Sequence, residues 1–287
     1  MIGLARRNLT VFFRDKAAVF FSLLSALIVF GLYVFFLGDL WTSNLNTIAN
    51  GREIMDSWLT AGLLTVTSFT TAMGAYGVMV EDRVRGISKD FYASPVGRKD
   101  IVGGYVLSAF ITGLIISVIT LLLGEVYIVS NGGKWLDIFS FAKVIGVLII
   151  TSLMNNSLLF VLVSFFSTPV SFSAASTVVG TLIGFLTGIY VPAGMLSSSM
   201  QWVIKLFPVS HAGALLRQII MDKPMSRGFS GVPAKQVLEI KEILGVVFSF
   251  GNQPMEPWMH VLVILGTAVI FFVLGVIIVS RTKGFSK

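Results

Sequence analysis

Residues 57–80 read SWLTAGLLTVTSFTTAMGAYGVMV, residues 81–100 read EDRVRGISKDFYASPVGRKD, and residues 101–124 read IVGGYVLSAFITGLIISVITLLLG. Neither flank contains an Asp, Glu, Lys or Arg, whereas nine of the twenty residues between them are charged. Each flank is 24 residues long, and a helix needs about 20 mostly apolar residues to cross a bilayer. The stretch therefore reads as two membrane spans joined by a charged island.

The rest of the chain agrees. Its 287 residues are 55% apolar and only 12% charged, with a mean hydropathy of +0.89. A soluble domain carries about 25% charged residues, so the surface of a soluble fold this long is missing. Six stretches qualify as spans: 17–37, 57–80, 101–124, 144–166, 174–197 and 258–280. The expectation is an all-α polytopic membrane protein forming one transmembrane domain over 1–287. There is no cysteine, which excludes disulfides, thiolate metal sites and thiol nucleophiles. The net charge of +7 is a topology signal in such a chain and does not imply nucleic acid.

Lys and Arg in short loops set the orientation. The N-terminal tail holds four, the island five and the C-terminal tail three, against one in 38–56 and two in 130–143. Both termini and the island are therefore expected in the cytoplasm, and segment 198–257 outside. Span 1, preceded by Arg6, Arg7, Arg14 and Lys16, is read as a retained span and not a signal peptide, because the apolar run is too long for a typical h-region and lacks a clear small-x-small cleavage site. Ile2, Ala5, Leu9, Phe12 and Phe13 fall at helical spacing, with Arg6, Arg7, Asn8 and Arg14 elsewhere. That pattern suits an amphipathic helix lying in the membrane interface.

The island has a pattern of its own. Val84, Ile87 and Phe91 stand at i, i+3 and i+7, an apolar stripe on a charged helix that Pro95 would end. Such a helix docks into a partner groove or lies on headgroups, and the periodicity does not choose. Within the spans, Gly180, Gly184 and Gly188 form a GxxxGxxxG ridge suited to close helix packing. Span 2 carries hydroxyls, among them Thr67 and Thr71. Asn155 and Asn156 read as interhelical hydrogen-bonding groups. Glu125 ends span 3 and reads as an interfacial anchor, with proton coupling as the sharper alternative. Past Pro192, residues 200–207 and 210–221 read as two short helices broken at Pro208, external or re-entrant. His211 and His260 are the two histidines and read as structural, so no metal site is expected.

Absent motifs narrow the function. The sequence has no G-x-x-x-x-G-K-[ST] phosphate loop, no H-E-x-x-H and no G-x-S-x-G, so no chemistry on a substrate is expected in this chain. Transport by an ATP-independent secondary carrier or channel remains as the alternative, but it needs a midplane ion site, and Glu125 is poorly placed for one.

Three segments carry a resemblance. RRNLTVFFRDKAAVFFSLLSALIVFGLYVFFLG (6–38), EDRVRGISKDFYASPVGR (81–98) and PAGMLSSSMQWVIKLFPVSHAGALLRQ (192–218) resemble, in order, the opening, the first cytoplasmic loop and the post-span-5 segment of ABC-2 type permeases. The resemblance implies the membrane subunit of a type V-like ABC exporter of the drug, lipid or polysaccharide group, in a bacterial cytoplasmic membrane. It implies two separate ATPase subunits that bind ATP and magnesium, and a second permease chain, identical or paralogous. No cofactor is expected in this chain. The island would be the coupling helix docked on the ATPase, through Glu81, Arg83, Val84, Arg85, Gly86, Ile87 and Phe91. Arg6, Arg7, Phe12 and Arg14 would mark the interfacial helix, with Arg14 pairing to Glu81. Gly180, Gly184, Gly188, Thr67 and Thr71 would line the dimer seam or pathway, and membrane lipids would surround the spans.

Overall fold

The computed structural model describes residues 1–33, 50–251 and 253–281. The end of the first expected span (34–37), the segment 38–49 and the tail beyond 281 lie outside the described residues. The helices described are α1 (Ile2–Arg14), α2 (Lys16–Leu32), α3 (Gly51–Ala75), α4 (Gly77–Val84), α5 (Ile87–Ala93), α6 (Arg98–Ser130), α7 (Ile138–Ser164) and α8 (Pro169–Leu186). After a 3-10 turn at Ala193–Met195 come α9 (Ser198–Leu206), α10 (Pro208–Ile220), α11 (Asp222–Gly228), α12 (Ala234–Ile243) and α13 (Pro257–Arg281). A two-residue antiparallel pair, β1 (Ser249–Phe250) and β2 (Gln253–Pro254), precedes α13.

Among the described residues, five helices or continuous helix pairs are long and apolar enough to cross a membrane: α3 with α4, then α6, α7, α8 and α13. The chain is an all-α polytopic membrane protein, as its composition requires. The described part of the first expected span is α2.

The fold is built around α3. Every residue from Glu53 to Phe69 is buried, because α2, α6, α7, α8 and α10 all pack on this one helix. A helix covered on every side has no lipid face, so its sequence need not show an apolar stripe. Three of its hydroxyls are satisfied within the helix: Thr60, Thr65 and Thr70 donate to the carbonyls of Asp56, Ala61 and Val66 at 2.9–3.0 Å, whereas those of Thr67 and Thr71 are buried with no hydrogen-bond partner among the described residues. Ser68 Oγ accepts from Asn155 Nδ2 of α7 at 3.1 Å, the interhelical bond expected of that asparagine. Asn156 instead donates to Ser152 within its own helix.

Element ends follow from specific groups. Asp137 caps α7 by accepting from Ser140 N–H, and Thr168 caps α8 by accepting from Ser171 N–H, with Pro169 at the first helical position. The fifth span was expected to reach 197 but stops at Leu186. Thr187 caps it and Gly188 follows at φ 68°, a left-handed helix stop. The glycine ridge is therefore not one surface. Gly188 lies past the helix, and a Cβ on Gly184 would collide with the Tyr190 ring, whereas Gly180 faces open space. Thr67 and Thr71 are likewise not on an exposed seam; both are fully buried inside the bundle.

The helices after span 5 are sharper than expected. α9 and α10 meet at an 88° bend where Pro208 opens α10 without an N–H to continue α9. Only α9 stays at the surface. Residues 209–217 are wholly buried, so α10 enters the bundle against α3, α7 and α13 instead of capping it. Between 222 and 257 the described residues form α11, α12 and the strand pair. Helices α8 and α13 show apolar outer faces, with Val170, Val178, Val269 and Phe272 exposed, the character of surfaces that meet lipid or a second chain.

Candidate functional site

The island end is assembled from α1, α4, α5 and the start of α6. α1 lies along α6, buries Ala5, Asn8 and Phe12, and turns Ile2, Val11 and Phe13 outward. The close approach depends on Gly104, where a Cβ would stand 2.9 Å from the Leu4 side chain. The apolar set read from the sequence thus divides into a protein-facing stripe and an outward stripe.

The charged contact across this end is Arg7 with Asp82. Arg7 Nη2 donates to Asp82 Oδ1 at 2.9 Å, and Nη1 donates to Oδ2. Tyr105 Oη of α6 donates to the same Oδ2 at 2.7 Å. Asp82 is buried, and its carboxylate raises the Arg7 guanidinium above its ordinary value. Arg7 also donates to Asn8 Oδ1 at 3.0 Å and lies 5.8 Å from the Phe91 ring centroid. One carboxylate therefore joins three helices, α1, α4 and α6, with a two-pronged geometry that a lysine would not reproduce. The Arg14–Glu81 pair is not formed. Glu81 sits one residue away on the outer side of α4 and accepts from Arg85 at 2.5 Å, an ordinary i,i+4 surface pair.

The island is also not one helix. Gly86 at φ 76° separates α4 from α5, so Val84 does not continue the stripe of Ile87 and Phe91. Val84 is 52% exposed, whereas Phe91 packs on the core. Arg83 Nη1 donates to Phe166 O at 2.6 Å, beyond the end of α7, where cations favour the negative end of a helix. Arg6 and Arg14 are exposed. Val84, Arg85, Lys89, Asp90 and Val96 form the outward surface of the island. The arrangement is a short charged knuckle, hinged at Gly86 and rooted by Asp82 and Arg83 in three spans.

At the opposite end, four contacts are invisible in sequence order. Glu53 accepts from Arg227 at 2.7 Å across 174 positions. Tyr33 donates to buried Asp56 at 3.2 Å. His211 and His260 share a 2.8 Å contact between their Nδ1 atoms, with His211 Nε2 on Lys205 O at 2.9 Å. Each histidine is thus the other's partner. Arg217, fully buried, donates to Thr187 O at 2.9 Å and to Gly245 O at 3.4 Å, and stacks 5.2 Å from Trp58. It satisfies carbonyls past the ends of α8 and α12. A lone Arg inside the apolar run PVSHAGALLRQII was the available signal for it. Glu125 is not an interfacial anchor. It is buried and accepts from Leu136 N–H at 2.8 Å. Among the described residues no group of three or more His, Cys, Asp or Glu is placed to hold a metal ion.

A comparison with curated protein sequences gives no significant match. The family model described as "ABC-2 family transporter protein" matches residues 42–277, from the second span through nearly all of the last. With those spans and the hinged charged knuckle in place, the chain belongs to the ABC-2 transporter family, as a multi-pass membrane permease.

Proposed function

We propose that this permease exports a hydrophobic or amphipathic substrate across a bacterial cytoplasmic membrane, with energy from two separate ATPase subunits that hold the ATP and magnesium. A second permease chain completes the pathway, both termini are cytoplasmic, and the ATPase docks on the island. ABC-2 membership supports a partnership with ATP-binding subunits in general. The observation that carries the coupling role is the Arg7–Asp82–Tyr105 junction beside the Gly86 hinge. A push on the exposed Val84–Arg85 surface reaches α1 and α6 through one buried carboxylate, so the three move as a body. The outward apolar faces of α8 and α13 suit the dimer seam and lipid.

The test is co-purification and coupling. The wild-type chain should retain its ATPase from detergent extracts. Val84→Glu with Arg85→Glu should lose it, while α1–α6 contacts, read by hydrogen exchange, stay intact. Retention of the ATPase by that double variant would remove the island from the docking role. Transport by the purified chain alone on an ion gradient would overturn the ATP-driven reading as a whole.

A further inference from the structure

The end of the bundle away from the island contains a cavity of about 400 Å³, within the range that holds small organic ligands. It lies between α3, the end of α6, the 131–137 loop and α10–α11. Three cationic side chains line it: Arg227 pairs with Glu53 at 2.7 Å and Lys223 with Asp137 at 2.8 Å, while Lys134 has no ion pair among the described residues, is exposed to solvent and gives its backbone N–H to Glu53 at 3.0 Å. Glu125 is not matched. It is 2% exposed and lines the cavity. Its Oε2 accepts the Leu136 N–H at 2.8 Å, while Oε1 has no hydrogen-bond partner and no ion pair among the described residues. A carboxylate withdrawn from water to this extent is costly unless something pairs with it. The walls beside it are apolar, from Ile128, Leu136, Ile220 and Pro224, and Trp135, 59% exposed, stands at the mouth.

We propose that this cavity binds an organic ammonium group carried on an apolar body. Glu125 Oε1 is the counter-ion, the apolar walls hold the body, and the Trp135 ring offers its face to the cation. The surroundings exclude the simpler occupants. A calcium or magnesium ion takes six or more oxygens, and the side chains lining this cavity supply oxygens only from Glu53, already bonded to Arg227, from Ser57, Ser226 and Glu125. An anion would place its charge against Glu125. An ammonium needs one carboxylate and an apolar wall, and both are there. The same chemistry is offered by a dissolved amphiphilic amine and by the amine headgroup of a membrane lipid.

The experiment is calorimetric titration of the full chain in maltoside micelles with phenethylammonium, against 2-phenylethanol as its uncharged counterpart. Expected are saturable binding of the ammonium, at least tenfold weaker binding of the alcohol, and at least tenfold weaker ammonium binding by Glu125→Gln. The glutamine oxygen still accepts the Leu136 N–H, so the loop is retained. Trp135→Ala, a change at an exposed side chain, should weaken binding severalfold and serves as the second variant. Phosphatidylethanolamine added to the micelles, with phosphatidylglycerol as control, separates the sources: competition by the former alone supports a lipid headgroup, and no competition supports a dissolved amine. No saturable binding, equal binding of the alcohol, or unchanged binding by both variants overturns the proposal. The titration needs neither ATP nor a partner subunit, so its failure leaves the permease reading untouched.

Discussion

Replacing Arg7 by Met leaves the Asp82 carboxylate buried against Tyr105 with one of its two partners gone. Breaking a buried pair from one side costs about 3–5 kcal/mol; Arg7 is itself a third exposed, which places the cost near the lower figure, about 3 kcal/mol. The loss falls on the attachment of α1 to α4 and α6. At 1.36 kcal/mol per decade this is roughly a hundredfold rise in the opening of α1. Hydrogen exchange of residues 2–14 in purified protein reads it directly. The double variant Arg7→Met/Asp82→Leu removes both charges and fills the site with apolar atoms, so it should recover about 2 kcal/mol of that loss. The same cycle on Arg14 and Glu81, neither of which touches the other, should show coupling below about 0.5 kcal/mol. Exchange of α1 that rises less than threefold in Arg7→Met, or a larger coupling between Arg14 and Glu81, would refute the assignment of Asp82 as the junction.

Other outcomes follow from the packing. Arg217→Ala removes a fully buried side chain and its bonds to Thr187 and Gly245, and should cost about 3 kcal/mol in unfolding assays; Arg217→Met, which keeps the volume, should cost less. Gly184→Ala collides with the Tyr190 ring and should destabilise by about 1–3 kcal/mol, with Tyr190→Ala restoring most of it, whereas Gly180→Ala should stay within about 0.5 kcal/mol. Lys223 and the Ser140 N–H hold the Asp137 carboxyl well below the usual carboxylate range. Its contribution is present above the ordinary value of about 3.9 and is lost only as pH falls through the lower folded value. Exchange in α11 and the 131–137 loop, corrected for intrinsic rate, should therefore hold constant from pH 7 to about 4.5, and Asp137→Asn should raise it at both pH values.

Spans and class were legible because bilayer thickness imposes a length that composition reveals. The last span, expected at 258–280, runs from Pro257 to Arg281. Span 5 ends at Leu186, eleven residues short of the expected 197, since the chain stays apolar after Gly188 has already ended the helix. Hydropathy sees solvent preference and is blind to a left-handed turn. The island was legible as a feature but not in its geometry. The periodicity of Val84, Ile87 and Phe91 assumes one helix, and Gly86 breaks it. The family resemblance implies a charged pair between the first helix and the end of span 2, Arg14 with Glu81. The partners are Arg7 and Asp82, because the helix rotation that buries Ala5, Asn8 and Phe12 also carries Arg7 inward. The contacts of Glu53 with Arg227 and of His211 with His260 had no sequence signal, as their partners are joined only by tertiary packing.

The burial of α3 on every side bears on how the protein is made. Of the five candidate spans it is the least hydropathic, yet it occupies the centre, while the most hydropathic, α13, lies at the periphery. A newly inserted α3 would face lipid with six hydroxyls between Thr60 and Thr71 and with Glu53 and Asp56 at one end. The helices that later shield it, α6, α7, α8 and α10, all follow it in the chain. Residence in the bilayer is thus secured for α3 by its successors, and synthesis must hold this segment near the insertion machinery until they arrive. Truncations ending before α6 should leave α3 poorly inserted, and those ending after α10 should leave it fully inserted, as glycosylation mapping of its ends would read.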